Sequence, residues 1–304
     1  MRCAIVTGAT GMIGLNLTKL LLSRGYFVYA VAHPASNNRS RLSDMPRLQI
    51  IDLALADYHS LPQYIPEGAD AFYHFAWEGT RGADRENVQV QQSNCRCTLD
   101  AIRAAARMGC RVFVGAGTQA EYGLTQGIVT EEHAECPETE YGRGKLQASR
   151  EGRTVAQQEG IRLIWARLFS VYGALDVETM LVRYCIEKMQ KNEPIDLTEG
   201  TQLWDFLYVE DAVRALAALG EAKGLNGVFN IAYGKALPLR EYVLMIQKAL
   251  MSQSVLNFGA INHPTGKLVS IQPSPEKLKA ATGWQPRTDF PTGVQKIVKE
   301  LDAQ

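Results

Sequence analysis

Tyr141 and Lys145 stand four residues apart in the segment Y-G-R-G-K. On a helix that spacing puts both side chains on one face. An ammonium beside a phenol favours the phenolate, so the pair predicts a lowered Tyr141 pKa. A phenol tuned in that way serves as an acid or base near neutral pH. Alone, Y-x-x-x-K also describes many solvated helix faces, so its meaning depends on company. Upstream, Thr118 supplies a hydroxyl directly after an apolar run, and T-G-A-T-G-M-I-G occupies positions 7–14. Gly8, Gly11 and Gly14 fall between a predicted strand and a predicted helix, with Thr10, Met12 and Ile13 completing the loop. Glycines in that setting allow a tight turn, close backbone approach to a pyrophosphate and close helix–strand packing. The helix N-terminus then presents free N–H groups to the phosphates.

These residues need a scaffold, and the N-terminal half reads as one. Strands are expected at Arg2–Thr7, Phe27–Ala32, Leu48–Ile51, Ala71–Phe75, Arg111–Ala116 and Ile161–Leu168. Helices are expected at Gly14–Arg24, Asp84–Met108 and Glu140–Gln158, each closed by a glycine. Strands separated by helices imply a Rossmann-type, doubly wound parallel sheet with right-handed crossovers. After Gly173 the rhythm changes. Helices are expected at Thr179–Lys191, Val209–Leu219, Leu239–Met251 and Pro291–Asp302, and short strands at Leu203–Tyr208 and Val228–Ala232. Proline-rich loops fall at 262–275 and 284–291. The reading is a dinucleotide-binding region over 1–173 that carries the catalytic residues, and a smaller α/β substrate-binding lobe over 174–304. The boundary is approximate and open to interleaving. With no long linker or repeat between them, the two parts are expected to share a cleft.

Composition removes several classes. The 32 basic and 32 acidic residues cancel, so no basic footprint for nucleic acid exists. No apolar run is long enough to span a bilayer, and the first residues run straight into a strand instead of a secretory layout. The six cysteines lack C-x-x-C spacing and the five histidines are scattered, so no metal is expected. Scattered thiols in a chain without an export signal point to a reducing cytoplasm.

The glycine spacing in V-T-G-A-T-G-M-I-G resembles the short-chain dehydrogenase/reductase family, in the extended branch that acts on nucleotide sugars. The resemblance runs along nearly the whole chain. Asp52-Leu53 is similar to the family's D-L, which implies that the Asp52 carboxylate holds the adenine amino group. His74-Phe75-Ala76-Trp77 resembles H-L-A-A, implying a backbone wall of Phe75, Ala76 and Trp77 beside the cofactor. Asn94 matches a bracing Asn of the following helix. Thr118 with Tyr122-Gly123 matches the catalytic Ser/Thr and Y-G. Arg167–Gly173 resembles R-x-x-N-V-Y-G, Trp204–Asp211 resembles R-D-x-x-Y-V-x-D, and Phe229–Ala232 resembles F-N-[IV]-G.

The resemblance implies that Thr118, Tyr141 and Lys145 form a catalytic triad. Tyr141 would trade a proton with a sugar oxygen, Thr118 would hydrogen-bond the same oxygen, and Lys145 would hold the nicotinamide ribose. Departures from the family narrow the reaction. Dehydratases carry an Asp-Glu pair after the Thr, where this chain has Gln119 and Ala120, with Glu121 one place too far along. Epimerase/reductases making fucose nucleotides have a Cys where Ala120 stands. Simple redox at C4 remains. Two other departures concern substrate binding: Ser170 replaces a phosphate-contacting Asn, and Trp204 replaces the Arg that clamps the distal phosphate. Either Arg183, Arg240 or Lys277 is then expected to take that charge, or the substrate's nucleotide lies differently; Glu78 is expected to bond a sugar hydroxyl.

For the cofactor, the second strand ends Ala32-His33-Pro34 without the acid that would bond a ribose 2′-hydroxyl. Arg39 and Arg41 follow, and either could clamp a 2′-phosphate. NADP(H) is favoured and NAD(H) remains open. The leading expectation is NADPH-dependent reduction of a nucleotide-linked 4-keto-6-deoxy sugar. The alternatives are a 4-epimerase that keeps NAD, and a non-catalytic dinucleotide sensor. The resemblance also implies a homodimer through a four-helix bundle. The bundle helices would be Asp84–Met108 and Glu140–Gln158, with Ala101 and Ala104 permitting close approach.

Overall fold

The computed structural model describes residues 2–42, 45–262 and 270–303, so part of the proline-rich stretch 262–275 lies outside the described residues. Seven strands form the main sheet: β1 (Cys3–Thr7), β2 (Phe27–Ala32), β3 (Leu48–Asp52), β4 (Ala71–His74), β5 (Val112–Thr118), β6 (Arg162–Leu168) and β7 (Gly227–Ile231). Their spatial order is β7-β6-β5-β4-β1-β2-β3, and every neighbouring pair is parallel. The near-continuous apolar strands suit this arrangement, because helices cover both faces of a parallel sheet. Alternate side chains feed two cores. Ala4 and Val6 join a core with Leu17, Leu21 and Leu216, while Ile5, Phe72 and Phe113 join another with Ala101, Ile102 and Val155. The strand order reverses around β1, which opens a crevice at the carboxyl ends of β1 and β4, where such folds bind ligands.

Among the described residues, besides the one-turn helix Leu61–Tyr64, the α-helices are α1 (Met12–Ser23), α2 (Val88–Arg107), α3 (Glu140–Gln158), α4 (Leu181–Gln190), α5 (Val209–Glu221), α6 (Leu239–Leu250), α7 (Glu276–Thr282) and α8 (Phe290–Asp302). Three sequence expectations change. The expected helix Asp84–Met108 begins only at Val88. Asn87 stops it upstream by turning its side chain onto the N–H groups of Gln89 and Val90, an N-cap. The expected strand Leu203–Tyr208 is two pieces, Leu203–Trp204 and Phe206–Tyr208. Buried Asp205 breaks it by accepting the N–H groups of Tyr233, Gly234 and Lys235 at 2.7–2.8 Å. The strand expected at Val228–Ala232 is β7, and it completes the main sheet beside β6. The chain thus leaves the sheet after β6 and returns to it, so a cut at residue 173 does not separate the sheet from the second lobe.

Candidate active site

The glycine loop is built for backbone contact. Gly8 has φ +65°, and a Cβ there would fall 2.8 Å from the Ala76 nitrogen. A Cβ at Gly14 would lie 2.3 Å from the Gly8 carbonyl oxygen. No side chain caps the N-terminus of α1 at Gly11, so its free N–H groups face a cleft of about 1040 Å³. That exceeds the roughly 300–1,000 Å³ of a single small-ligand pocket. Gly8, Gly11, Met12, Ile13 and Gly14 line one end, Phe75, Trp77, Thr118, Gln119, Tyr141 and Lys145 the middle, and Ser170 and Trp204 the far wall.

Helix α3 brings Tyr141 to Thr118 through its glycines. A Cβ at Gly142 would sit 2.5 Å from the Ala120 carbonyl oxygen, and one at Gly144 would sit 3.1 Å from the Gln91 side chain. The first lets α3 start against the turn after β5, and the second lets it lie close on α2. Thr118 ends β5 and caps the following turn, its hydroxyl oxygen accepting the Ala120 N–H at 3.2 Å. That leaves its own O–H free to donate.

The electrostatics differ from the sequence expectation. Burial pushes the Tyr141 phenol above its ordinary value of 10, while Thr118 and then the Arg85 guanidinium pull it back. Lys145 is itself buried, and desolvation lowers it to about 7, against an opposing pull from Glu121. Its nitrogen donates to the Ala116 carbonyl at 2.8 Å and lies 3.7 Å from the centre of the Trp77 ring, against 5.9 Å for the Tyr141 ring. So the expected lowering of the Tyr141 pKa by Lys145 is replaced by a phenol held protonated at neutral pH.

Glu121 is fully buried and does not line the cleft. It pairs with the Arg167 Nε at 2.7 Å and accepts the Trp165 Nε1–H and the Thr118 N–H at 3.0 and 2.8 Å. Its carboxylate is bound on several sides and aimed away from the cleft. Gln119 and Ala120 occupy the cleft side of that turn, so no carboxylate of the turn faces a ligand.

Several other expected residues stand elsewhere. Arg39 grips Asp52 through two bonds of 2.7 and 2.8 Å, so one of the two residues expected on a 2′-phosphate holds the one expected on adenine. Solvent screens such an exposed pair, and a ligand can compete for either partner. Arg41 lines the cleft and donates to the Thr10 carbonyl at 3.3 Å. Thr10, His33, Asp52, Leu53, Ala76, Glu78 and Asn94 do not line it. Asn94 braces the loop after β4, accepting the Glu78 N–H at 2.9 Å and donating to the Glu78 carbonyl at 2.8 Å. Neither Arg183, Arg240 nor Lys277 reaches the cleft. Arg183 bonds Glu187 and the Ala174 carbonyl, Arg240 covers the Phe258 ring, and Lys277 donates to the Val228 carbonyl. Ala101 and Ala104 are buried inside the protomer, because α2 turns that face to the sheet.

Sequence reasoning missed Arg81 and Arg85, which line the cleft. The Arg85 guanidinium lies 4.3 Å from the centre of the Tyr141 ring, and Arg81 pairs with Asp176 at 3.3 Å. The spacing R-G-A-D-R carries no motif; only the fold of the loop shows where the two side chains go.

The model of the NAD dependent epimerase/dehydratase family matches residues 4–232. The chain belongs to this family. It is thus an enzyme of a family that works with a nicotinamide dinucleotide. It is 24% identical to the CDP-abequose synthase of Salmonella typhimurium (strain LT2), over 98% of this chain and 97% of that protein. It is 25% identical to the dTDP-4-dehydro-6-deoxyglucose reductase of Escherichia coli, over 64% of this chain and 62% of that protein. The fold matches the UDP-N-acetylglucosamine 4-epimerase of Methanobrevibacter ruminantium M1, solved with UDP-N-acetylmuramic acid, with a TM-score of 0.90 and 21% identity, over 100% and 99% of the two chains. Among the described residues no helix is long and apolar enough to cross a membrane.

Proposed function

We propose that this family member reduces the 4-keto group of a nucleotide-linked 6-deoxy sugar with NADPH. The observation that carries the reading is the meeting of Thr118, Tyr141 and Lys145 in the cleft that begins at the glycine loop. The fit to a dinucleotide rests on the backbone cradle at Gly8 and Gly14, which a Cβ would fill, and on the uncapped start of α1. When bound, the nicotinamide supplies the hydride to the sugar carbon. Tyr141 hands its phenolic proton to the oxygen of that carbon, and a phenol held protonated is in the correct state to donate. Thr118 directs its hydroxyl to the same oxygen. Lys145, which lines the same cleft, would hold the ribose hydroxyls of the dinucleotide. Water elimination has no base here, since Ala120 cannot titrate and Glu121 is locked against Arg167.

NADP(H) rests on Arg41, which lines the cleft, and on the lack of an acid at the end of β2, where Ala32 leads into His33. Of the two candidate arginines, Arg41 is the one for a 2′-phosphate. The relative named as a 4-dehydro-6-deoxy-sugar reductase supports the substrate class. A second reading, a 4-epimerase that retains NAD, is favoured by the fold match to a 4-epimerase. A panel of 4-keto nucleotide sugars with NADPH absorbance separates the two. The reductase consumes NADPH in proportion to product. An enzyme that purifies with tightly held NAD and interconverts 4-epimers with no added cofactor overturns the reductase reading.

The same reading includes pairing of two protomers through α2 and α3, in altered form. Their exposed residues include Gln92, Arg96, Arg143, Gln147, Arg150 and Arg153, so the joint would be polar. A monomeric mass by light scattering at micromolar concentration removes it.

A further inference from the structure

Among the described residues four cationic side chains line the cleft: Arg41, Arg81, Arg85 and Lys145. Arg41 reaches back to the Thr10 carbonyl of the glycine loop, and Lys145 bonds the Ala116 carbonyl beneath Trp77. Both belong to the cofactor end. The far wall offers Trp204, Phe206, Leu239 and Ile271, and an aromatic ring cannot neutralise a phosphate. An acidic substrate must find its counter-charge elsewhere.

We propose that Arg85, with Arg81 beside it, is the anion-binding subsite of this cleft, taking the phosphate or carboxylate oxygens of the substrate from the dinucleotide-binding side. The proposal rests on the reading of the cleft as a nucleotide-sugar site. No carboxylate lies within ion-pair distance of Arg85 among the described residues. One of its nitrogens donates to the Thr80 carbonyl at 3.0 Å while the fork lies over the Tyr141 ring. A guanidinium so placed keeps donors for a ligand. The loop that carries it is anchored. Gln91 Nε2 donates to the Gly79 and Asp84 carbonyls, each at 2.9 Å, and Gln91 Oε1 accepts the Trp77 Nε1–H at 2.8 Å. The Glu86 carboxylate accepts the Glu140 N–H at 3.1 Å, tying the loop to α3. Arg81 meets Asp176 from the opposite wall, so an anion there would join a charge pair that already bridges the cleft. Glu138 is the other acid on the lining, and it stands against a net excess of positive charge.

The test measures binding of UDP, CDP and dTDP, and of the corresponding nucleosides, by calorimetry to the purified enzyme and to Arg85→Gln, Arg81→Gln and Arg183→Gln. For the preferred base, Arg85→Gln should weaken the diphosphate roughly 10- to 100-fold, the scale of a lost charge-assisted bond pair. Nucleoside binding should stay unchanged. Arg81→Gln should have a smaller effect, because Asp176 already shares its charge, and Arg183→Gln should have none. A second arm compares UDP-glucuronate with UDP-glucose. If Arg85→Gln leaves UDP alone but erases a preference for the glucuronate, the anion is a sugar carboxylate. The proposal is overturned if Arg85→Gln changes neither diphosphate binding nor that preference, or weakens nucleoside and diphosphate alike. Failure of wild-type turnover on 4-keto sugars would overturn the activity reading and leave these binding results standing.

Discussion

The wall on the dinucleotide-binding side turns Arg41, Arg81, Arg85 and Lys145 toward the cleft, whereas the opposite wall turns Trp204, Phe206, Leu239 and Ile271 toward it. The second wall is not poor in charge; it spends its charge on backbone. Asp205 holds the N–H groups of Tyr233, Gly234 and Lys235. Asp211 holds those of Arg287 and Thr288 at 2.9 and 2.8 Å. Both acids sit in the segment W-D-F-L-Y-V-E-D. The contrast teaches that conspicuous acids can shape a site without touching its ligand. Substitutions in the first wall should therefore read as kinetics, and those in the second as stability.

The largest test of that contrast is Tyr141→Phe. The ring still packs against Trp77 and Arg85, but the proton donor is lost, so turnover should fall on the order of 10²–10⁴-fold with the melting temperature unchanged. Retained activity would break the contrast at its first wall. Asp205→Ala should do the opposite. It strips three buried N–H groups of their acceptor, at about 1–3 kcal/mol for each left without a partner. Chemical denaturation should show a loss of several kcal/mol while kcat of the folded enzyme holds.

Cofactor choice sharpens the comparison within the first wall. Arg41→Ala should weaken NADPH roughly 10-fold relative to NADH, the scale of one lost charge-assisted contact. Arg39→Ala, which frees Asp52, should leave the ratio unchanged. The reverse order, read from the two KM values, would return the 2′-phosphate to Arg39.

The smallest effect concerns pH. Lys145 is lowered from 10.5 to about 7 in the folded chain, so between those values the unfolded chain binds more protons. Stability then rises with pH across that window. The penalty for burying the charged amine is present in full below about pH 7 and gone above the unfolded value. Lys145→Met should thus raise the melting temperature most at pH 6, by roughly 2–4 °C for each kcal/mol relieved. The gain should shrink steadily toward pH 10. A gain independent of pH would show that packing, not charge, governs the site.

Much of the fold was legible because it is written locally. Apolar runs of strand length and glycines at helix ends located six strands of the sheet and the three long helices of the first half, within a few residues; the one-turn helix Leu61–Tyr64 was not seen. The miss at 84–87 came from reading helical periodicity through Asn87, whose cap competes with the helix it opens. The seventh strand was seen as a strand, but its place beside β6 depends on a return of the chain that no local pattern encodes. In the cleft, the glycine loop, Thr118, Tyr141 and Lys145 were found from spacing and resemblance. Arg81 and Arg85 were missed because loop arginines look the same whether they face solvent or a ligand.

The sequence by itself determined the elements, the glycine cradle and the pairing of Tyr141 with Lys145 on one helix face, since these follow from backbone sterics and from spacings within a few residues. Only the tertiary structure decided which charges are free to act. Glu121 meets Arg167 across 46 positions, Arg81 meets Asp176 across 95, and Lys145 finds the Ala116 carbonyl across 29. A titrating group's state depends on its burial and its nearest partner, and both are properties of the packed chain.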